Sequence, residues 1–458
     1  MNSTLRDAAI AAALSCLSAL THAASARDGE TAGPLAIINA RLETITRGTI
    51  ESGTLLMANG RIVALGGAAV DVPRGARIID AHGGTVTPGL IACSTNLAIA
   101  EINQLAETRD DAGGTRISAA FDVQYGVNAW SPQIPVARES GVTHAVLSPL
   151  VGTAEPFDDE EEHAALQGGG ENAGAYNALF AGQAAMLRLD ASPLPVMRAR
   201  IAMTLDLGQA GAQHGGGSRA ASIILVKAAL ADARHYARFR ASYDRGATRT
   251  YGLPTFDLEA LIPVVEGRTP LLVRVSRAAD IRQALALARE ENLRLILEDA
   301  QEAWLVADEI AAAKVPVLID PQDALPRSFE VLAARLDNAA RLQRAGVTIA
   351  IKGSRNFNSL RPIRLNAGVA VAYGLSRDEA LRAITLNPAR IWGIANRTGS
   401  LEVGKDADVV VWSGDPLEAQ SYTRNVIVGG VEQTTPSRRL QLQERYGRPD
   451  DGYPPAYH

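Results

Sequence analysis

The sequence predicts an α/β protein: a (β/α)8 TIM-like barrel with a small composite β-sandwich built from both chain ends. Three observations predict it. Residues 35–83 and 397–430 both run as short β-type stretches broken by turn signals. Between them the pattern changes to short apolar strands alternating with helical stretches, which implies βα units. Late in that middle region four strands recur at regular spacing, as in the closing half of an eight-stranded barrel.

The chain begins with Arg6 in a short n-region, an apolar stretch over 8–20 and a small-x-small site at Ala24-Ser25-Ala26. Residues 1–26 therefore read as a secretory signal peptide, and the protein as secreted and periplasmic. A lipoprotein reading through Cys16 is weaker, because Leu14 lies one place from where a lipobox would want it. Residues 27–87 are expected to form the first part of the sandwich, with strands over 35–42, 54–58 and 61–65. Ala58-Asn59-Gly60-Arg61 is the hairpin turn between the last two.

The barrel is expected over 88–396. Its later strands are 271–275, 293–297, 315–319 and 347–351, and its helical runs are 277–291, 302–313 and 329–345. Residues 397–434 complete the sandwich, and 435–458 form a C-terminal tail. The Gly-rich stretches 168–174 and 207–217 read as surface excursions. The acidic run Asp158-Asp159-Glu160-Glu161-Glu162 reads as a solvated loop rather than a cation site.

A net charge of −5 gives no reason to expect nucleic acid or an anionic membrane as a partner. Nothing after the leader reaches about 18 uninterrupted apolar residues, so no membrane span is expected. Cys93 is the sole cysteine beyond the leader, which excludes an intrachain disulfide in the mature chain. Its place in an apolar strand favours an inert core thiol over a nucleophile.

Four motifs carry a family resemblance. Gly53-Thr54-Leu55 leads into Gly60-Arg61-Ile62, and Thr85-Val86-Thr87-Pro88-Gly89-Leu90-Ile91 opens the middle region. Near the end come Ala383-Ile384-Thr385-Leu386-Asn387-Pro388-Ala389 and then Gly399-Ser400-Leu401-Glu402-Val403-Gly404-Lys405-Asp406-Ala407-Asp408-Val409-Val410-Val411. Together they bracket residues 35–430 and resemble the amidohydrolase superfamily. Gly182-Gln183-Ala184-Ala185 and Asn366-Ala367-Gly368-Val369 are similar to its secreted, imidazolonepropionase-like branch.

The resemblance implies a hydrolase of C–N bonds other than peptide bonds, using zinc or a similar divalent metal. It also implies the split sandwich, and metal ligands at the C-terminal ends of the barrel strands. Those ligands would be a His-x-His pair on strand one, a bridging Lys or acid, histidines on strands five and six, and an Asp on strand eight. A strand puts residues i and i+2 on one face, so a His-x-His pair aims two imidazoles at one ion. Here Ser94 and Asn96 replace the pair, and Ala92 replaces the Asp before it. Arg274 stands on strand five, Gln301 near the strand-six position, and Ser354 or Arg355 on strand eight. Hydroxyl and amide oxygens are poor replacements for imidazole at zinc. Lys227 sits in an Ala-rich helical run and reads as a surface lysine. His82, His144, His163, His214 and His235 form no His-x-His or His-x3-His pair, and His144 reads as structural. No metal cofactor is therefore predicted.

Cations at the strand ends could occupy the vacated space: Arg274, Lys352, Arg355, Arg361 and Arg364. They could hold a carboxylated ligand, or Arg274 could instead pair with Glu298 or Asp299 and close the hole. Glu101, Glu107, Asp110 and Asp111 follow strand one and could act as acid, base or ligand, or form a solvated loop. Ser94 has no histidine base in view. The candidate pocket residues are thus Arg274, Lys352, Arg355, Glu101 and Asp110. Three functions are compatible: a non-catalytic subunit of a metal-bearing amidohydrolase relative, an enzyme with a rebuilt site for amides or small peptides, and a periplasmic binder of carboxylated ligands. The partner would be such a relative, a second copy of this chain, or a small carboxylate.

Overall fold

The computed structural model describes residues 33–67, 69–102, 105–113, 117–151, 179–190, 192–353 and 362–447. The leader, the acidic run 158–162, the Gly-rich 168–174, His163, Ser354, Arg355, Arg361 and the end of the tail lie outside them.

Strands β1 (Leu35–Glu43), β2 (Thr49–Ala58), β3 (Arg61–Gly66), β4 (Arg77–Asp80) and β5 (Thr85–Pro88) open the chain. Asn59 at φ 51° and Gly60 at φ 73° make the tight β2–β3 turn, where two left-handed residues match strand twist. β1 bends at Asn39, itself at φ 54°. Its first half pairs with β4 and its second with β5, so one strand serves two layers. The chain returns at the end as β14 (Val409–Trp412), β15 (Thr423–Val428) and β16 (Val431–Glu432), and β14 pairs with β5. Both chain ends thus build one eight-stranded sheet around its own core of Ile37, Leu42, Leu55, Val86 and Val409.

The second sheet is the barrel: β6 (Leu90–Thr95), β7 (Val142–Leu147), β8 (Phe180–Arg188), β9 (Val196–Asp206), β10 (Leu271–Val275), β11 (Leu295–Asp299), β12 (Val317–Ile319) and β13 (Ile349–Ile351). It departs from a regular (β/α)8 at one strand, because β8 runs antiparallel to both neighbours. Only residues 189–195 separate β8 from β9, too few for the crossover a parallel pair needs. The seam between β6 and β13 is bridged by side chains. The Cys93 thiol donates to the Ile351 carbonyl at 3.6 Å, and Asn387 Nδ2 donates to Ile349 O at 2.9 Å. Both groups come from the motif segments around 85–97 and 383–389.

The expected helix over 329–345 is shorter than its pattern, covering only Asn338–Arg344. The preceding residues form a loop tied down by Glu302, whose carboxylate accepts the Ala333 amide at 2.9 Å. Trp412 joins the two sheets. It is fully buried, its Nε1 donates to Thr87 Oγ1 at 2.9 Å, and its ring lies against Gly141.

A charged layer at the barrel mouth

Strand alternation builds the candidate site. Cys93, Val146, Ala184, Ala202, Leu272, Ile296, Leu318 and Ala350 form one buried cluster inside the barrel. Ala389, Trp392 and Ile394 join it from the helix Leu386–Ile391 and the turn after it. Two residues further along four successive strands, in the same phase, stand Arg274, Glu298, Asp320 and Lys352. An apolar layer is thus capped by a charged one at the C-terminal strand ends, where barrel enzymes place their chemistry.

The charged layer is largely self-paired. Glu298 is completely buried. Lys352 Nζ lies 2.6 Å from Glu298 Oε1 and 2.7 Å from Asp299 Oδ1. Arg274 directs Nε to Glu298 Oε2 at 3.2 Å, Nη1 to Asp206 Oδ1 at 2.9 Å and Nη2 to the Pro149 carbonyl at 2.6 Å. Asp299 at φ 71° and Ala300 at φ 46° turn the chain sharply out of β11, a conformation L-residues adopt at a cost. Ser94 hydrogen bonds Glu298 and lies 2.6 Å, oxygen to oxygen, from Ser148.

Burial pushes the Glu298 carboxyl up, but Lys352 and Arg274 outweigh it and hold it down at about 2. Burial opposes the charge on Lys352, yet Asp299 and Glu298 raise its pKa above the usual lysine value. Arg274 is likewise held charged against burial by Asp206 and Glu298. Glu298, Lys352 and Arg274 therefore stay charged at ordinary pH.

Asp320 is the exception. It makes no ion pair among the described residues. Burial pushes its carboxyl above the usual range, while the Gln322 amide, donating at 3.0 Å, and the nearby Lys352 pull the other way. It lines a pocket of about 470 Å³ together with Arg274, Glu298, Asp299, Gln301 and Lys352. Gln301 Nε2 donates to Asp323 Oδ2 at 2.6 Å, and Asn366 Nδ2 donates to the Lys352 carbonyl at 3.0 Å.

Of the cations expected at the mouth, Arg274 and Lys352 are there and are paired. Arg364 is committed elsewhere, donating to the carbonyls of Pro416, Glu418 and Ser421. Glu101 accepts from Asn128 at 2.9 Å and Ser131 at 3.0 Å, which ties down its own loop. Asp110 is exposed, and neither acid is among the described residues of the pocket wall. Lys227 pairs with Glu290 at 2.6 Å on the surface. His144 is fully buried near the sandwich, its Nε2 3.8 Å from Asp408. His235 meets the Tyr251 hydroxyl at 2.8 Å. Sequence reasoning missed Asp206, Asp320 and Ser148. The signal available for Asp320 was its phase, two residues beyond an interior leucine.

The divalent metal implied by the resemblance does not fit this layer. Glu298, Asp299 and Asp206 already hold an ammonium and a guanidinium, and an added ion would face both cations. Among the described residues, no three His, Cys, Asp or Glu side chains group to hold a metal.

The sequence model of the Amidohydrolase family matches residues 277–435. The chain is 30% identical over 392 residues to imidazolonepropionase of Aromatoleum aromaticum, covering 80% of this chain and 87% of that protein. It is 26% identical over 429 residues to imidazolonepropionase of Sphingopyxis alaskensis, covering 83% and 92%. In fold it is similar to the crystal structure of an amidohydrolase from Thermotoga maritima, with a TM-score of 0.74 at 23% identity, covering 87% of this chain and 99% of that one.

Proposed function

The chain belongs to the amidohydrolase superfamily, on its imidazolonepropionase-like branch, and from that premise we propose that it is a non-catalytic subunit that pairs with a metal-bearing relative. We place its action in the periplasm, after removal of residues 1–26, on the strength of the leader pattern alone. One observation carries the reading: Lys352 and Arg274 form ion pairs with Glu298, Asp299 and Asp206 at the strand ends where metal ligands would be needed. A buried network of this kind holds the mouth in one arrangement and commits Glu298, Asp299 and Asp206 to cationic side chains. It also uses up the Arg274 fork, so the layer offers little to a carboxylated ligand.

A second reading rests on Asp320. A carboxyl with a raised pKa in a pocket suits a general acid, as a rebuilt amide hydrolase would need. One experiment separates the two. The tagged chain is purified from its own periplasm and its assemblies weighed by native mass spectrometry, with amide turnover assayed on the isolated chain. The subunit reading expects an amidohydrolase chain that retains His-x-His to accompany it in fixed ratio, and no turnover without that chain. Turnover by the isolated chain that Asp320→Asn abolishes would replace it with the hydrolase reading.

A further inference from the structure

A second cavity lies at the other end of the barrel. It is larger, about 1050 Å³, and opens at the N-terminal ends of β10, β11 and β12, beside Pro270, Arg294 and Pro316. The helices Ala278–Glu290, Ala307–Ala312 and Leu386–Ile391 supply its other walls. Nothing in the mouth chemistry uses it.

Its lining has two parts. Leu285, Leu293 and Ile391 pack against the core yet stay only partly buried, which leaves apolar surface facing the cavity. Around them stand five cations and one acid. Arg282 and Glu309 cancel, since Arg282 Nη2 lies 2.7 Å from Glu309 Oε1. That leaves Arg289, Arg294, Lys314 and Arg390, all exposed, and none forms an ion pair among the described residues. Arg294 spends one N–H on the Arg268 carbonyl at 3.0 Å.

Four cations with no ion pair among the described residues line one concavity, against the overall charge of −5. Like charges gathered around a concave, low-dielectric floor raise the local concentration of anions and focus the field there. The apolar floor adds a demand that water meets poorly, and the volume lies at the upper limit of small-molecule sites.

We propose that this groove binds a small organic anion with an apolar body. The head, a carboxylate or a phosphate, sits among Arg289, Lys314 and Arg390, and the hydrocarbon or aromatic part lies on Leu285, Leu293 and Ile391. The site is independent of the mouth and of the subunit reading. Its place at the strand N-termini, away from the strand ends that carry barrel chemistry, makes it a binding site rather than a reaction centre.

Isothermal titration of the full chain with octanoate, octyl phosphate and octyltrimethylammonium tests it. Saturable one-site binding of either anion supports the proposal, and whichever anion binds more tightly identifies the head group. Octyltrimethylammonium should not bind. The triple variant Arg289→Gln/Lys314→Gln/Arg390→Gln should weaken anion binding about tenfold or more and reduce its salt dependence. All three substitutions are at exposed positions, and an unchanged melting temperature verifies the fold. Leu285→Asp provides an independent check on the floor. Failure of both anions to bind overturns the proposal. So does equal binding by the triple variant or by octyltrimethylammonium. Association with phosphatidylglycerol vesicles without binding of either free anion would also overturn it, in favour of a membrane surface.

Discussion

Replacing Lys352 with Met tests the ion-pair layer where it is most exacting. Met has similar length and no charge, so the change removes the ammonium with little change in volume. Glu298 then remains fully buried with Arg274 at 3.2 Å as its single cationic partner, and Asp299 loses its ion pair. The Glu298 carboxyl is held from its ordinary 4.5 down to about 2, and a depression of that size corresponds to about 3 kcal/mol. Breaking one side of a buried pair costs about 3–5 kcal/mol, and a loss of that order is expected for Lys352→Met. Because the folded carboxyl titrates below the unfolded one, its stabilisation is complete above about pH 4.5 and is lost as pH falls toward 2. In the variant the folded value rises, so acid unfolding should begin at higher pH than in the wild type. Urea unfolding followed by circular dichroism at several pH values, for Lys352→Met, Glu298→Gln and the double variant, measures this. The double variant should cost several kcal/mol less than the sum of the singles. A cost below about 1 kcal/mol for Lys352→Met at neutral pH, with strictly additive singles, would refute the reasoning.

Asp320 should behave with the opposite sign. Its folded pKa lies above the unfolded 3.8, so its contribution is fully present below that value and is lost as pH rises through the folded pKa. Asp320→Asn should therefore leave acid stability unchanged and raise the melting temperature at neutral pH; a fall there would contradict the assignment. Burial pushes the Cys93 thiol up to about 12, so a disulfide reagent should leave it untouched in the folded chain and label it only in denaturant. Gly141 sits at φ 86°, and an added Cβ would lie 2.6 Å from the Trp412 ring. Gly141→Ala should then cost about 2 kcal/mol or more, read as a lowered urea midpoint.

The fold was largely legible because periodicity survives in single elements. The strand 271–275, the strand expected over 347–351 and found at Ile349–Ile351, the turn at Asn59 and Gly60, and the pairing of both chain ends follow from alternation and turn chemistry. The reversed β8 was not legible, because its direction depends on the length of the link to β9, and β8 itself is buried almost throughout. The helix over 329–345 was overread because Glu302, distant in sequence, captures the backbone of Ala333. At the mouth, Arg274 and Lys352 could be placed by counting along strands, and pairing of Arg274 with Glu298 was one of the open alternatives. Asp206 was missed because it ends β9, and nothing local marks which residue of that strand meets Arg274. Arg364 was misplaced for a similar reason, since its carbonyl partners at 416–421 come from the returning chain.

If the ion-paired layer stands where a metal centre would be, the purified chain should carry almost no metal. The mature chain, produced with zinc and manganese supplied, is analysed by inductively coupled plasma mass spectrometry after gel filtration. Well below one ion per chain is expected, about a tenth or less, with no change in melting temperature on adding chelator. A stoichiometric metal that a chelator removes with loss of stability would contradict it.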